Sequence, residues 1–390
     1  MNRPATTLGS IGLLVAALAL FGCVNARPIA TRGPSGPSTT AAPSAPPFPP
    51  SGTIDQQFTT PALDYRNTGE YLVWSTGVRG AADDTAPDLF GSRPGEVPQL
   101  LYDNPERDSR LEVVGGDGSR FVFVEYNTRA FGRGVFKLWY IAAPGKSAVV
   151  IDEGDSELLP FFAMSGDRII WTVVHGEPRR SELRQLDVRS MATTVLLSAD
   201  PLKIQYWFPA IDGDHIVVGS IEPNADYTSD ERHVYFLDLA VGGPPVRLDH
   251  SKSASEPVIQ GETVIWKESD PTMHLLNAGS IVQYSLYKRT SRPIDFPVAE
   301  RWIGYTDPTI GARFATAWHE DFRHLYISDL ITSRIIKVAD YETPDETLSD
   351  GMLRNTVSRA YIAGDLLSYV YAHEHDDLEL RWVDLSQAYP

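Results

Sequence analysis

The sequence predicts an all-β fold: a β-propeller of four-stranded antiparallel blades, seven favoured and six the alternative, preceded by a signal peptide and a disordered linker. Three observations predict it. A glycine-led pattern recurs about every 48 residues, period-2 apolar strands fill the spaces between its copies, and no stretch of ten or more residues has continuous amphipathic helical period. Hydrophobic residues make up 42% of the chain and charged residues 22%, so there is ample material for a core. The net charge is −17, and residues 53–390 alone carry −20, which repels nucleic acid and anionic membrane as bulk partners. A single cysteine excludes an internal disulfide and any multi-cysteine metal site.

Residues 1–22 read as a signal peptide, of the lipoprotein kind by the resemblance at its end. One positive side chain lies in Met1–Thr7, and the uncharged Leu8–Phe21 follows. Fourteen residues rise about 21 Å, short of the roughly 30 Å of a bilayer core. Leu20-Phe21-Gly22-Cys23 resembles the lipobox of bacterial lipoproteins, and the resemblance implies lipidation of Cys23, attachment through that N-terminal lipid alone and an extracytoplasmic place in the cell envelope. Two or three acyl chains, at about 0.8 kcal/mol per buried CH₂, suffice for stable anchoring. Residues 23–52 comprise this cysteine and a linker. Val24–Gly52 holds eight prolines among Ser, Thr, Ala and Gly, and as extended polyproline it reaches up to roughly 90 Å.

Residues 53–390 carry the repeat. It reads Gly69-Glu70-Tyr71-Leu72-Val73-Trp74, Gly118-Ser119-Arg120-Phe121-Val122-Phe123, Gly166-Asp167-Arg168-Ile169-Ile170-Trp171, Gly213-Asp214-His215-Ile216-Val217-Val218 and Gly261-Glu262-Thr263-Val264-Ile265-Trp266. A degenerate Ala299-Glu300-Arg301-Trp302-Ile303-Gly304 and then Gly364-Asp365-Leu366-Leu367-Ser368-Tyr369 complete the series. The intervals are 49, 48, 47, 48, 38 and 65 residues. Glycine supplies the tight turn, and its acidic neighbour is expected to accept local backbone N–H bonds. Trp74, Trp171 and Trp266 share one register and are expected to wedge between blades. A later strand in each copy ends in Asp, as in Leu183–Val188, Val234–Leu239, Leu325–Leu330 and Leu380–Leu385. Four short strands per copy make a propeller blade. The pattern x-Pro-x-h-x-Gly-Asp-x-h-h-Trp (h, apolar), with a strand ending Asp-Leu, resembles the TolB-like propeller superfamily across nearly all of 53–390. Seven copies of about 48 residues fill that length, six remaining open because Ser75–Glu96 is long and irregular. Ile54–Thr60 is expected to supply the outermost strand of the last blade.

Hydrolase signatures fail. No G-x-S-x-G occurs in the folded part, and five residues follow Leu385 where a catalytic α/β domain would begin. Gly145-Lys146-Ser147 lacks the earlier glycine of a phosphate loop and reads as a turn between strands. Chemistry is left to the loops between the second and third strands. They hold His175 with Glu177, Glu222 and Asp226, then Glu268, Asp270 and His274, then Trp318-His319-Glu320-Asp321, and finally His373 to Asp377. His373, His375 and Asp376 form the best set for a divalent metal, because His-x-His in a strand turns both rings to one side. Solvent-exposed loop polarity is the alternative, in which case no cofactor is needed. The longer stretches Ser75–Glu96 and Thr306–Arg323 add Asp83, Asp84, Asp88, Arg313, Phe314 and Trp318, suited to a binding rim. Tyr341–Met352 reads as a solvated acidic excursion. The expected function is a lipid-anchored, non-catalytic binding module for an envelope protein, peptide or glycan, with Trp318, His319, Arg313, Phe314, His175 and His274 at its binding face. The enzymatic alternative is a metal-dependent lyase acting on uronate oligosaccharides, as some propellers are.

Overall fold

Seven sheets, each of four antiparallel strands, account for nearly all the secondary structure of the computed structural model. The structure describes residues 52–58, 65–76, 88–105, 109–127, 134–156, 158–176, 178–223, 230–269, 279–297, 305–319, 324–340, 356–374 and 377–388. Strand β1 (Gly52–Phe58) comes first. Blade 1 is β2 (Tyr65–Asn67), β3 (Leu72–Thr76), β4 (Asp88–Ser92) and β5 (Gln99–Tyr102). Blade 2 is β6 (Ser109–Asp117), β7 (Arg120–Asn127), β8 (Gly134–Ile141) and β9 (Val149–Ser156). Blade 3 is β10 (Phe162–Ser165), β11 (Arg168–His175), β12 (Arg180–Asp187) and β13 (Ala192–Ala199). Blade 4 is β14 (Gln205–Asp212), β15 (His215–Pro223), β16 (Asp230–Asp238) and β17 (Val246–Arg247). Blade 5 is β18 (Ala254–Gln260), β19 (Thr263–Ser269), β20 (Gly279–Ser285) and β21 (Thr290–Ile294). Blade 6 is β22 (Tyr305–Ile310), β23 (Phe314–His319), β24 (His324–Asp329) and β25 (Ile335–Asp340). Blade 7 is β26 (Thr356–Ala363), β27 (Leu366–Glu374) and β28 (Asp377–Asp384), with β1 as its fourth strand.

The blade count is therefore seven: within Ser75–Glu96, β3 runs to Thr76 and β4 spans Asp88–Ser92, while 77–87 lie outside the described residues. The first strands form a closed inner ring: β2 touches β6, then β10, β14, β18, β22 and β26 follow in turn, and β26 touches β2. The N-terminal segment closes the last sheet, with Gly52 opposite Trp382 and Ile54 opposite Leu380. It does so two residues earlier than Ile54–Thr60. The only helix among the described residues is the short 3₁₀ turn Leu385–Ala388, and none there is long and apolar enough to cross a membrane.

Each blade junction owns one apolar cluster. Tyr71, Val73 and Phe121 join blades 1 and 2, Trp171 packs on Val122 and Leu138 between 2 and 3, and Ile170 meets Ile211 between 3 and 4. Trp266 packs on Val217 and Val234, Ile265 on Ala315, and Phe314 on Ile362. Trp74 packs on Val370 and Leu380, which seals the seventh junction. All three tryptophans face the preceding blade and are at most 2% exposed, as wedges require.

The turn chemistry follows the sequence with two corrections. Gly118, Gly166, Gly213, Gly261 and Gly364 take φ of 56–60°, where a side chain would be strained. Two of their acidic neighbours reach the adjacent blade: Asp167 accepts from Arg120 at 3.0 Å, while also pairing with Arg189 of its own blade, and Asp214 pairs with Arg168. Backbone N–H groups are instead accepted by the Asp residues ending the third strands, such as Asp187 and Asp238. The second correction is the sixth copy. It is Gly311-Ala312-Arg313-Phe314-Ala315-Thr316-Ala317-Trp318, not Ala299–Gly304, and with it the irregular 38 and 65 become about 51 and 52. Gly311 is glycine because a Cβ would lie 2.2 Å from the Gly364 carbonyl of blade 7. Lys146 sits in the turn between β8 and β9, its N–H donating to Ala143.

Candidate functional site in the central channel

Five inner strands bulge at one equivalent place, five residues before the turn position. The bulges hold Val113, Phe208, Glu256, Asp307 and Arg359, all with φ between 43° and 55°. A left-handed non-glycine residue costs about 1–3 kcal/mol and persists where the surrounding structure imposes it. In blades 4, 5 and 6 the next residue is Pro209, Pro257 or Pro308, which removes a ladder donor and fits a bulge.

Charged side chains from four blades converge around Asp307, one of these bulge residues. The Asp307 N–H donates to Glu256 Oε2 at 2.9 Å, and Lys267 Nζ lies 3.9 Å from Glu256 Oε1 with its side chain 3% exposed. Arg66 of blade 1 donates to the Tyr361 hydroxyl and to the Tyr65 carbonyl at 3.0 Å, and stacks 4.2 Å over the Tyr361 ring. The Tyr65 hydroxyl donates to the Arg359 carbonyl and fixes the strained residue; burial raises the phenol well above its ordinary range, so it stays a donor. Arg66, Lys267 and Arg359 all lie close enough to act on Asp307. Burial first, and the neighbouring Glu256 carboxylate second, push Asp307 up to about 6 against the pull of those three cations. Beside the charges, Phe161, Trp207 and Phe208 form an aromatic wall with centroid separations of 4.5–6.0 Å. The arrangement sets charges of both signs beside an apolar surface.

Asp307 makes a pH prediction. Its proton is held more tightly in the folded protein than in the unfolded chain, so the stabilisation is complete below about pH 4 and is lost as pH rises through about 6. Asp307→Asn should gain melting temperature relative to the parent as pH rises from 4 to 7. A difference independent of pH would refute the burial of that carboxyl.

The residues expected at the binding face are distributed otherwise. His175 ends β11 on the rim, where it contacts Glu182 Oε2 at 2.9 Å and Arg184, whose guanidinium also reaches Asp152 of blade 2. It is thereby tied into a blade-to-blade network. Phe314 begins β23 and Arg313 directly precedes it, at the opposite end of the sheet from that rim. Phe314 is core at 2% exposure, and Arg313 clamps Asp329 at 2.7 Å, holding that carboxylate far below the usual range. Neither is a rim anchor. Trp318 and His319 end β23, and His373 lies near the end of β27, but their side chains fall outside the described set. Glu177, Asp226, Asp270, His274, His375, Asp376, the lipidation residue Cys23 and the excursion 341–352 lie outside the described residues. Among the described residues no group of three or more His, Cys, Asp or Glu could hold a metal ion. Glu256, Asp307, Lys267, Arg66 and Arg359 were not legible as a site; the x-Pro step five residues before the turn was the signal.

No family model matches the sequence, and no curated protein matches it. Among solved structures the chain is similar to the β-propeller domain of the Trilobed protease from Pyrococcus furiosus, at 14% identity and TM-score 0.56, covering 83% of this chain and 92% of that one. That domain is described as having an open velcro topology, whereas β1 closes the ring here. The chain is also similar to a puromycin-hydrolyzing peptidase of Mycobacterium tuberculosis, at 15% identity and TM-score 0.54, covering 87% of this chain and 54% of the peptidase's length. A third similar structure is oligogalacturonate lyase in complex with manganese, at 12% identity and TM-score 0.53, with 87% and 96% covered. These likenesses establish the propeller fold, and the architecture fits the TolB-like resemblance of the repeats.

Proposed function

We propose that this protein is a lipid-anchored, extracytoplasmic propeller that binds an envelope protein, peptide or glycan at its central channel without transforming it. One observation carries the reading. Charged side chains from blades 1, 5, 6 and 7 are brought together around Asp307, with Glu256, Asp307 and Arg359 on strained bulges of the inner strands. The lipobox-like Leu20–Cys23 and the Pro-rich segment after it support a tethered propeller facing the envelope space. Full-length protein immobilised against detergent-solubilised envelope should retain a defined partner, and Arg359→Gln should lose it at an unchanged melting temperature. Retention by that variant, or turnover of the captured molecule, would contradict the reading.

The lyase alternative is favoured by one observation, the nearly complete mutual coverage with the manganese-bound oligogalacturonate lyase. The alternative's candidate ligands His375 and Asp376 lie outside the described residues, among which no group of three or more His, Cys, Asp or Glu could hold a metal ion. Stoichiometric manganese or zinc in untagged protein, lost in a His373→Ala, His375→Ala double variant, would favour the lyase.

A further inference from the structure

A small pocket opens between the inner strands of blades 4 and 5, beside the channel cluster. Trp207, Phe208, Ser255, Glu256 and Arg232 line it over the floor of Gly219–Ile221, and its volume is about 20 Å³, room for one small polar group. Gly219 makes the approach of the strands feasible, since a Cβ there would lie 3.1 Å from the Trp207 carbonyl. Trp207, Ser255 and Arg232 line this pocket together. Trp207 Nε1 and Ser255 Oγ are buried and have no hydrogen-bond partner among the described residues, and Ser255 is only 7% exposed. Arg232 lines the same space and makes no ion pair among the described residues. The one carboxylate in the wall, Glu256, already accepts from the Asp307 N–H and faces Lys267.

A buried donor left unsatisfied costs about 1–3 kcal/mol. Two such donors and a guanidinium in one cavity therefore call for an anionic acceptor. We propose that this pocket binds the C-terminal carboxylate of a peptide whose last residue is apolar. The carboxylate takes the Trp207 N–H, the Ser255 O–H and the Arg232 guanidinium. The side chain on the same Cα lies against the wall of Phe161, Trp207 and Phe208, an apolar surface that an internal Asp or Glu would leave unused. The inference deepens the channel-binding reading and rests on it.

The test is calorimetric titration of the full-length protein with N-acetyl-Ala-Ala-X peptides (X is Leu, Ile, Val, Met or Phe), as free acids and as C-terminal amides. At least one acid should bind, with its amide ten-fold or more weaker. Trp207→Phe, which keeps an aromatic ring and deletes the N–H, and Ser255→Ala should each weaken the acid several-fold, leave the amide unchanged and leave the melting temperature unchanged or raised, since each removes an unsatisfied buried donor. Acid and amide binding alike, or none of the acids binding, would overturn the proposal. An internal-aspartate peptide amide or trigalacturonate binding in their place would also overturn it, by assigning the carboxylate to another source. Loss of partner capture by Arg359→Gln, observed alongside equal acid and amide affinities, would leave the channel reading intact while removing this pocket from it.

Discussion

Deletion of Gly52–Phe58 from the full chain is expected to lower the melting temperature by about 5–10 °C and to promote association. The segment pairs with β28 at Gly52–Trp382, Thr53–Arg381, Ile54–Leu380 and Phe58–Leu378, and it is the fourth strand of blade 7. Net hydrogen-bond contributions of about 1 kcal/mol each put the lost ladder at roughly 3–4 kcal/mol. A shift of about 2 °C per kcal/mol, the low end of the range because the ring is a large domain, then gives about 6–8 °C, within the expected drop. The deletion also exposes β28 as an unpaired edge, which is a template for another chain. Differential scanning calorimetry reads the first effect and light scattering the second. An unchanged melting curve would mean that the ring is held shut by the apolar junction of blades 7 and 1 alone.

Trp171→Ala is expected to be the most damaging single substitution, costing about 3–5 kcal/mol and on the order of 10 °C. The indole is fully buried between blades 2 and 3 against Val122, Leu138 and Met164. Its N–H also donates to Asp152 Oδ2 at 2.7 Å, and Asp152 belongs to blade 2, so the side chain both fills and latches the junction. Trp171→Phe keeps most of the volume and loses the latch, and should cost about 1 kcal/mol. Denaturant unfolding of the two variants separates the contributions. Equal destabilisation by Ala and Phe would show that the hydrogen bond, not the packing, carries the residue.

The ring was legible because the blade unit repeats its physics. A left-handed glycine turn, an apolar second strand and a wedge facing the previous blade recur in most copies, so Gly166-Asp167-Arg168-Ile169-Ile170-Trp171 could be recognised without knowledge of its neighbours. The sixth copy is displaced in the sequence reading because Ala312 replaces the turn glycine and Trp318 falls one residue later than its counterparts, while Trp302 imitates the pattern. The channel cluster was hidden for a different reason. Its members come from five strands in four blades, and only closure of the ring brings Arg66 and Arg359 near Asp307, nearly 250 residues from Arg66 and about 50 from Arg359. Reasoning from loops found polar residues that serve the frame, such as His175 and Arg313, since a turn residue and a ligand-binding residue draw on the same side-chain types.

Site-specific photocrosslinking tests channel recognition most directly. A benzophenone side chain placed at Phe208, on the channel wall, should capture the envelope partner in intact cells, and the same group at Ile331, exposed in the turn after β24 at the opposite face, should not. Equal capture at both positions, or capture at Ile331 alone, would contradict recognition at the channel.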